Sequence, residues 1–311
     1  MKNLTWLPLL TVCLLVSGIC AIAVTPDVGT APVRVTVTLS GPQTSAPVTA
    51  KDVQVYQNSQ RRPVLDFMPV ADSPQGMDFA ILIDDSVRSE VTLQYPDIRQ
   101  FIASLPASTQ VGVAYAEYGA AVFNQPFSAD HSRAAAALQL PQGRIAAGGS
   151  LYQSVSDLVQ DWPNDGRVRV ALVVSYGVDI WRGLADTSPE INPDLTAAIH
   201  QAQASGVMIY TIFAGSSVGF EHGPMLNLNG QGSLARLASA TGGESYFQGT
   251  RTPVAFKPFL NRLRASLNRQ YLLTFEAEAR NAPHEAPLRV TTEVPNVKIV
   301  APSEVRVPAA H

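Results

Sequence analysis

A run of apolar residues, Phe79-Ala80-Ile81-Leu82-Ile83, is followed at once by Asp84-Asp85-Ser86-Val87-Arg88-Ser89. Carboxylates and hydroxyls gathered at a strand end offer hard oxygen ligands to a cation such as magnesium. The plainer use of the same residues is a turn in which Asp85 or Ser86 caps the next helix. Two further strand-end or loop motifs carry hydroxyls: Gly148-Gly149-Ser150-Leu151-Tyr152 and Val173-Val174-Ser175-Tyr176-Gly177. A fourth, Gly215-Ser216-Ser217-Val218-Gly219, fits the Gly-x-Ser-x-Gly turn that exposes a hydrolase nucleophile, here Ser217.

The hydrolase reading is the weaker one. A nucleophile turn needs a helix directly after it, and the stretch from Phe220 to Gly232 is interrupted by Gly223, Pro224, Gly230 and Gly232. The hydrolase order also needs an acid and then a histidine downstream, yet no aspartate follows Ser217. His131, His200, His222, His284 and His311 show no i, i+4 pair and no His-x-x-Glu grouping, so no zinc site is legible from spacing. Gly148-Gly149-Ser150 lacks the lysine of a phosphate-binding loop. The expectation is a protein that is not an enzyme.

The elements that must hold these residues follow from hydrophobic pattern. The 311 residues are 46% hydrophobic and 15% charged, enough for one large or two modest cores. Residues 1–23 combine Lys2, an apolar run from Leu4 to Val16 and a small-residue Ala21-Ile22-Ala23 end, which predicts a cleaved secretory signal; an uncleaved membrane anchor is the alternative. Cys13 and Cys20 both lie within it, so the remainder has no thiol chemistry. A net charge of −3 without basic clusters argues against nucleic acid and against an anionic membrane surface.

Alternation of apolar and polar residues over Val33 to Leu39, Asp52 to Tyr56 and Val64 to Phe67 predicts an N-terminal β segment, residues 24–75. From 76 to 268, a continuous apolar run (79–83) and similar, mostly apolar runs (111–116, 168–174, 207–214) alternate with helical patterns, the last of them Phe256, Phe259, Leu260, Leu263 and Leu267. This predicts an α/β unit with a doubly wound, mostly parallel sheet. Strand patterns return over residues 269–311, and the two β flanks, each too small for its own core, are expected to pair into one small sandwich-like unit. Gly215 to Gly232 reads as a long Gly/Asn-rich loop at the same sheet end as Asp84.

Three motifs in this order resemble the metal-ion-dependent adhesion site of von Willebrand factor type A domains: Asp84-x-Ser86-x-Arg88 for Asp-x-Ser-x-Ser, Gly148-Gly149-Ser150 for Gly-Gly-Thr, and Ser175-Tyr176-Gly177 for Ser-Asp-Gly. Ala240-Thr241-Gly242-Gly243 resembles a fourth family element, and Val48 to Tyr56 and Gln270 to Phe275 resemble segments flanking this domain in a subfamily of secreted bacterial proteins. The resemblance implies a Rossmann-like fold and a cation held by hydroxyls and carboxylates, with one position left for an acidic group of a partner protein. Asp84, Ser86 and Ser150 match metal ligands, whereas Arg88 replaces a hydroxyl and Tyr176 replaces the second carboxylate. A guanidinium about 4 Å from a divalent ion is repelled by on the order of 8 kcal/mol at an effective dielectric constant of about 20. The expectation is therefore a degenerate site without a cofactor, in which Arg88 pairs with Asp84; Ser89, Asp85 or Asp179 supplying the missing ligands is the route by which magnesium or another divalent cation would still bind. Asp84, Asp85, Ser86, Arg88, Ser150 and Tyr176 form the expected protein-binding surface. The competing expectation is a structural envelope protein with no ligand site.

Overall fold

The computed structural model describes residues 29–42, 47–141, 149–215, 224–249 and 253–310. The expected signal, residues 1–23, and Gly148 and Ser217 lie outside them. The chain opens with strands β1 (Gly29–Ser40), β2 (Val53–Gln57), β3 (Gln60–Arg62) and β4 (Val64–Pro69). The α/β stretch follows: β5 (Met77–Asp84), α1 (Tyr95–Ala103), β6 (Thr109–Glu117), β7 (Ala120–Ser128), α2 (His131–Ala136), α3 (Leu151–Gln160), β8 (Val168–Ser175), α4 (Pro193–Ala204), β9 (Val207–Phe213), α5 (Pro224–Ala240), β10 (Ser245–Tyr246) and α6 (Lys257–Leu267). It closes with β11 (Gln270–Ala279), β12 (His284–Thr292), β13 (Lys298–Val300) and β14 (Glu304–Val307).

The central sheet runs β10-β9-β8-β5-β6-β7, parallel throughout except for β7, which pairs antiparallel with β6 at one edge. Its inner strands are apolar on both faces because helices cover both. Ile81, Ile83 and Val111 pack with α1 and α6 through Ile98, Phe101, Leu260 and Leu263. Ala80, Leu82 and Val173 face α3, α4 and α5 through Val155, Leu158, Leu195, Ala198 and Leu237. This is the doubly wound, mostly parallel arrangement the apolar runs predict.

The β flanks form two four-stranded sheets, β13-β1-β11-β4 and β14-β12-β2-β3. The long β1–β11 ladder aligns Val33 with Phe275 and Val37 with Tyr271. Val35, Val55, Leu273, Phe275, Leu288 and Val290 share one core between the two sheets, so the flanks on either side of the α/β stretch bury their apolar faces against each other. Ser303 N donates to Ala240 O and Gln203 donates to Ser303 Oγ, docking the chain before β14 onto the α/β unit.

Part of the expected loop from Gly215 to Gly232 is helix. Pro224 begins α5, where its missing N–H costs nothing in the first turn, and the buried Gly230 lets the helix approach the Tyr176 carbonyl at a distance that a Cβ would forbid. Two of the four residues that argue for a break thus serve a start and a close packing contact. Among the described residues no helix is long and apolar enough to cross a membrane.

Candidate functional site

Parallel strands in open α/β sheets present their carboxyl ends, and the crevice where the winding reverses direction, to ligands. Here that edge lies between β5, which ends in Asp84, and β8, which ends in Ser175. Asp84 is buried, and both of its oxygens are engaged: Oδ1 accepts from Ser86 N (2.8 Å) and Oδ2 from Ser175 Oγ (2.5 Å). Ser175 Oγ in turn accepts from Gly177 N (2.8 Å), which fixes the turn leaving β8.

Ser150 is the N-cap of α3, its hydroxyl accepting from Tyr152 N (3.1 Å), so the helix itself aims the side chain at the rim. The hydroxyl donates to Asp179 Oδ2 (2.5 Å). Asp179 also accepts from Trp181 N (3.0 Å) and Asn192 Nδ2 (3.4 Å), and is itself buried. Tyr152, fully buried, donates to Gly177 O (2.6 Å) between these groups; burial first, then the charges of Asp179 and Asp84, raises its phenol. Gly149 precedes Ser150 where the loop crosses the β6–β7 turn, and a Cβ there would lie 2.1 Å from Gly119 N.

The structure gathers Asp84, Ser86 and Ser150 at this rim and adds Ser175 and Asp179. The second carboxylate that Tyr176 replaces in the motif is thus supplied three residues later, by Asp179. Sequence reasoning names Asp179 only as an escape; the signal for it is an aspartate two residues beyond the Ser-x-Gly strand end.

Four expectations need correction. Tyr176 is not a recognition residue: it is 2% exposed, packs on Phe213 with ring centroids 5.6 Å apart, and burial pushes its phenol up to about 12. Leaving β8, its side chain falls on the sheet face already lined by α3 to α5, and its hydroxyl has no hydrogen-bond partner among the described residues. Arg88 pairs with Glu90, Nη2 to Oε1 at 2.8 Å, rather than with Asp84. A guanidinium at the solvent edge keeps its hydration in that pairing and would lose it beside the buried Asp84. Asp85 is buried on the opposite face, where its charge acts on Tyr95 and Tyr115, as strand alternation requires. Ser89 is exposed and opens a short 3-10 turn, while Asp84 is buried.

The parallel sheet with one antiparallel edge and the three motifs meeting at its carboxyl rim decide the architecture. The α/β unit is von Willebrand factor type A-like in fold. No family model matches the sequence, and no curated protein does. Among solved structures the chain is similar to BatB from Bacteroides thetaiotaomicron (14% identity, 62% of this chain and 97% of that chain, TM-score 0.45). It is likewise similar to an aerotolerance-related membrane protein from Bacteroides fragilis (13%, 62% and 99%, 0.45) and to the ArnB paralog VWA2 from Sulfolobus acidocaldarius (10%, 91% and 76%, 0.40).

The donor set of two carboxylates and two hydroxyls is all oxygen and fits a hard divalent cation. Asp84, Ser86, Ser150 and Asp179 would hold it, and it would supply a positive charge at the rim. Without one, Asp84 carries its charge at a cost: burial raises its carboxyl above the usual range, opposed by hydrogen bonds from Ser175 and Ser86. A raised folded-state value means that the group's contribution to stability is full below the ordinary carboxylate range and is lost as pH rises through the folded value. Asp84→Asn keeps an acceptor for Ser86 N and offers an amide donor to Ser175 Oγ. It is therefore expected to raise Tm at pH 7 in metal-free buffer, with the gain shrinking toward pH 4; a lower Tm at pH 7 would refute that account.

Proposed function

We propose that this chain is an exported, non-enzymatic protein-binding module that engages its partner through the carboxyl rim of its central sheet without needing a metal. The observation that carries this is apolar. Trp181, Leu184 and Ile191 are exposed on the segment that follows β8, and Met225 and Leu228 are exposed on the first turns of α5. The two segments are tied together, Asn229 donating to Thr187 Oγ1 and Arg236 to Pro189 O, so these side chains form part of one rim beside Asp179. Exposed large apolar groups rimmed by polar ones mark interaction sites, and tryptophan is enriched among residues that dominate binding energy. Arg182, held in a fork by Asp194 (2.9 and 3.0 Å), adds a positioned cation to the same segment.

Trp181→Ala is expected to weaken capture of the partner by about 30-fold, the equivalent of about 2 kcal/mol, while leaving Tm unchanged because the side chain is exposed. Cross-linking in envelope extracts followed by affinity measurement on the captured protein tests it. A purely structural protein would keep every contact in the Trp181→Ala and Leu184→Ala variants.

A second reading, cation-assisted contact, is favoured by one observation: Asp179 beside Ser150 restores a two-carboxylate donor set. Under it, partner capture requires magnesium and is lost in Asp84→Asn; under the first reading, capture survives both a chelator and that substitution.

A further inference from the structure

The five histidines, unremarkable in sequence, include one that the fold places opposite two glutamates. His200 lies on α4 of the α/β unit; Glu285 and Glu304 project from β12 and β14 of the sandwich. One ligand atom from each lies within 4.8 Å of the other two. Glu285 and Glu304 stand on adjacent antiparallel strands whose register pairs Pro287 with Glu304 and Glu285 with Arg306. Like charges placed so closely across a ladder repel, and among the described residues neither carboxylate forms an ion pair with a lysine or arginine, Arg306 included. Among the described residues, His200 is the basic side chain that faces them both.

His200 Nδ1 lies 3.3 Å from Glu285 Oε2 and 3.7 Å from Glu304 Oε2. Charge-assisted N–H···O bonds contract to about 2.7–2.9 Å, and these do not. Four ligands placed tetrahedrally at zinc bond lengths of about 2.0–2.1 Å stand about 3.4 Å from one another, a spacing that the 3.3 Å separation matches and the 3.7 Å separation approaches. The three side chains are between a third and a half exposed, so an ion can reach them from solvent.

We propose that His200, Glu285 and Glu304 form a binding site for a zinc-class divalent ion, with water in the fourth position, that clamps the α/β unit to the β-sandwich. One imidazole with two carboxylates favours a borderline transition metal over magnesium, which takes oxygen ligands. The site is separate from the sheet rim, shares no residue with it, and does not depend on the protein-binding reading. It explains why two like charges are held facing a histidine across the contact between the two units, where α4 packs on β14.

Untagged protein stripped with a chelator is titrated with zinc chloride by calorimetry, with magnesium chloride as a parallel probe, and its thermal unfolding is followed in both. The expected result is one zinc per chain, a raised Tm with zinc and no effect of magnesium on this site. His200→Ala and Glu304→Gln, both at accessible positions, are expected to fold normally by circular dichroism, to lower zinc affinity by at least about tenfold and to lose the Tm shift, while Asp84→Asn retains both. The proposal is overturned if wild type takes up no zinc, if His200→Ala binds zinc as tightly as wild type, or if uptake disappears in Asp84→Asn and survives in His200→Ala.

Discussion

Arg167→Ala is expected to lower the stability of the protein by about 3–5 kcal/mol, the cost of stripping a buried charge of its partner. Asp78, the second residue of the central strand β5, has its side chain completely buried, and Arg167 Nε holds its Oδ1 at 2.6 Å. The same guanidinium donates to Gln75 O (2.7 Å), Met77 O (3.0 Å) and Ser108 O, so one side chain closes the amino-terminal edge of the sheet. Burial raises the Asp78 carboxyl even with the arginine present, whose hydrogen bond opposes the rise. Removing that opposition raises it further, so the deficit of the variant is larger at pH 7 than at pH 4, where the carboxyl is closer to neutral. Chemical denaturation at both pH values measures this. Arg167→Ala combined with Asp78→Leu is expected to recover much of the loss, because an apolar side chain of similar volume leaves no charge stranded. A single-variant loss under about 1 kcal/mol, or a double variant no better than the single, would show that Asp78 does not depend on Arg167.

Gly177→Val is expected to damage both stability and the rim. Gly177 adopts φ +74°, and a Cβ there would meet Gly230 O at 2.4 Å and Leu234 Cγ at 2.6 Å. Left-handed backbone costs an L-residue about 1–2 kcal/mol, and overpacking a close contact adds about 1–3 kcal/mol. The strain falls on a turn whose amide donates to Ser175 and whose carbonyl receives Tyr152. Ser175 then no longer meets Asp84, and Asp179 shifts from Ser150. The variant is expected to lose several kcal/mol in denaturant titration and to lose partner capture beyond what its unfolded fraction explains; capture proportional to the folded fraction would separate the turn from binding.

The sequence makes the sheet legible because strands covered on both faces need mostly apolar runs, and 79–83, 111–116, 168–174 and 207–214 supply them, interrupted only by Arg169 and Thr211. It hides β7, an edge strand whose residues are only half-buried, since nothing on its outer side demands a pattern. It also hides α5, because Pro224 and Gly230 read locally as breakers and only the neighbouring Tyr176–Gly177 turn reveals why a glycine belongs there. At the rim, Asp84, Ser86 and Ser150 are readable from motif order. Tyr176 and Arg88 mislead for one shared reason: substitution at a motif position shows which residue is lost, not where the new side chain turns. Asp179 and the His200, Glu285 and Glu304 group are set by tertiary packing, and local spacing carries little or none of that information.

The ladder between β1 and β11 joins strands that are synthesised on either side of the α/β stretch. Until β11 emerges, β1 has no neighbour on that side, and the whole α/β stretch must be made in between. Pairings so distant along the chain form late and slowly, so the sandwich is the last part to assemble and the nascent chain carries an open, valine-rich β1 edge for most of its elongation.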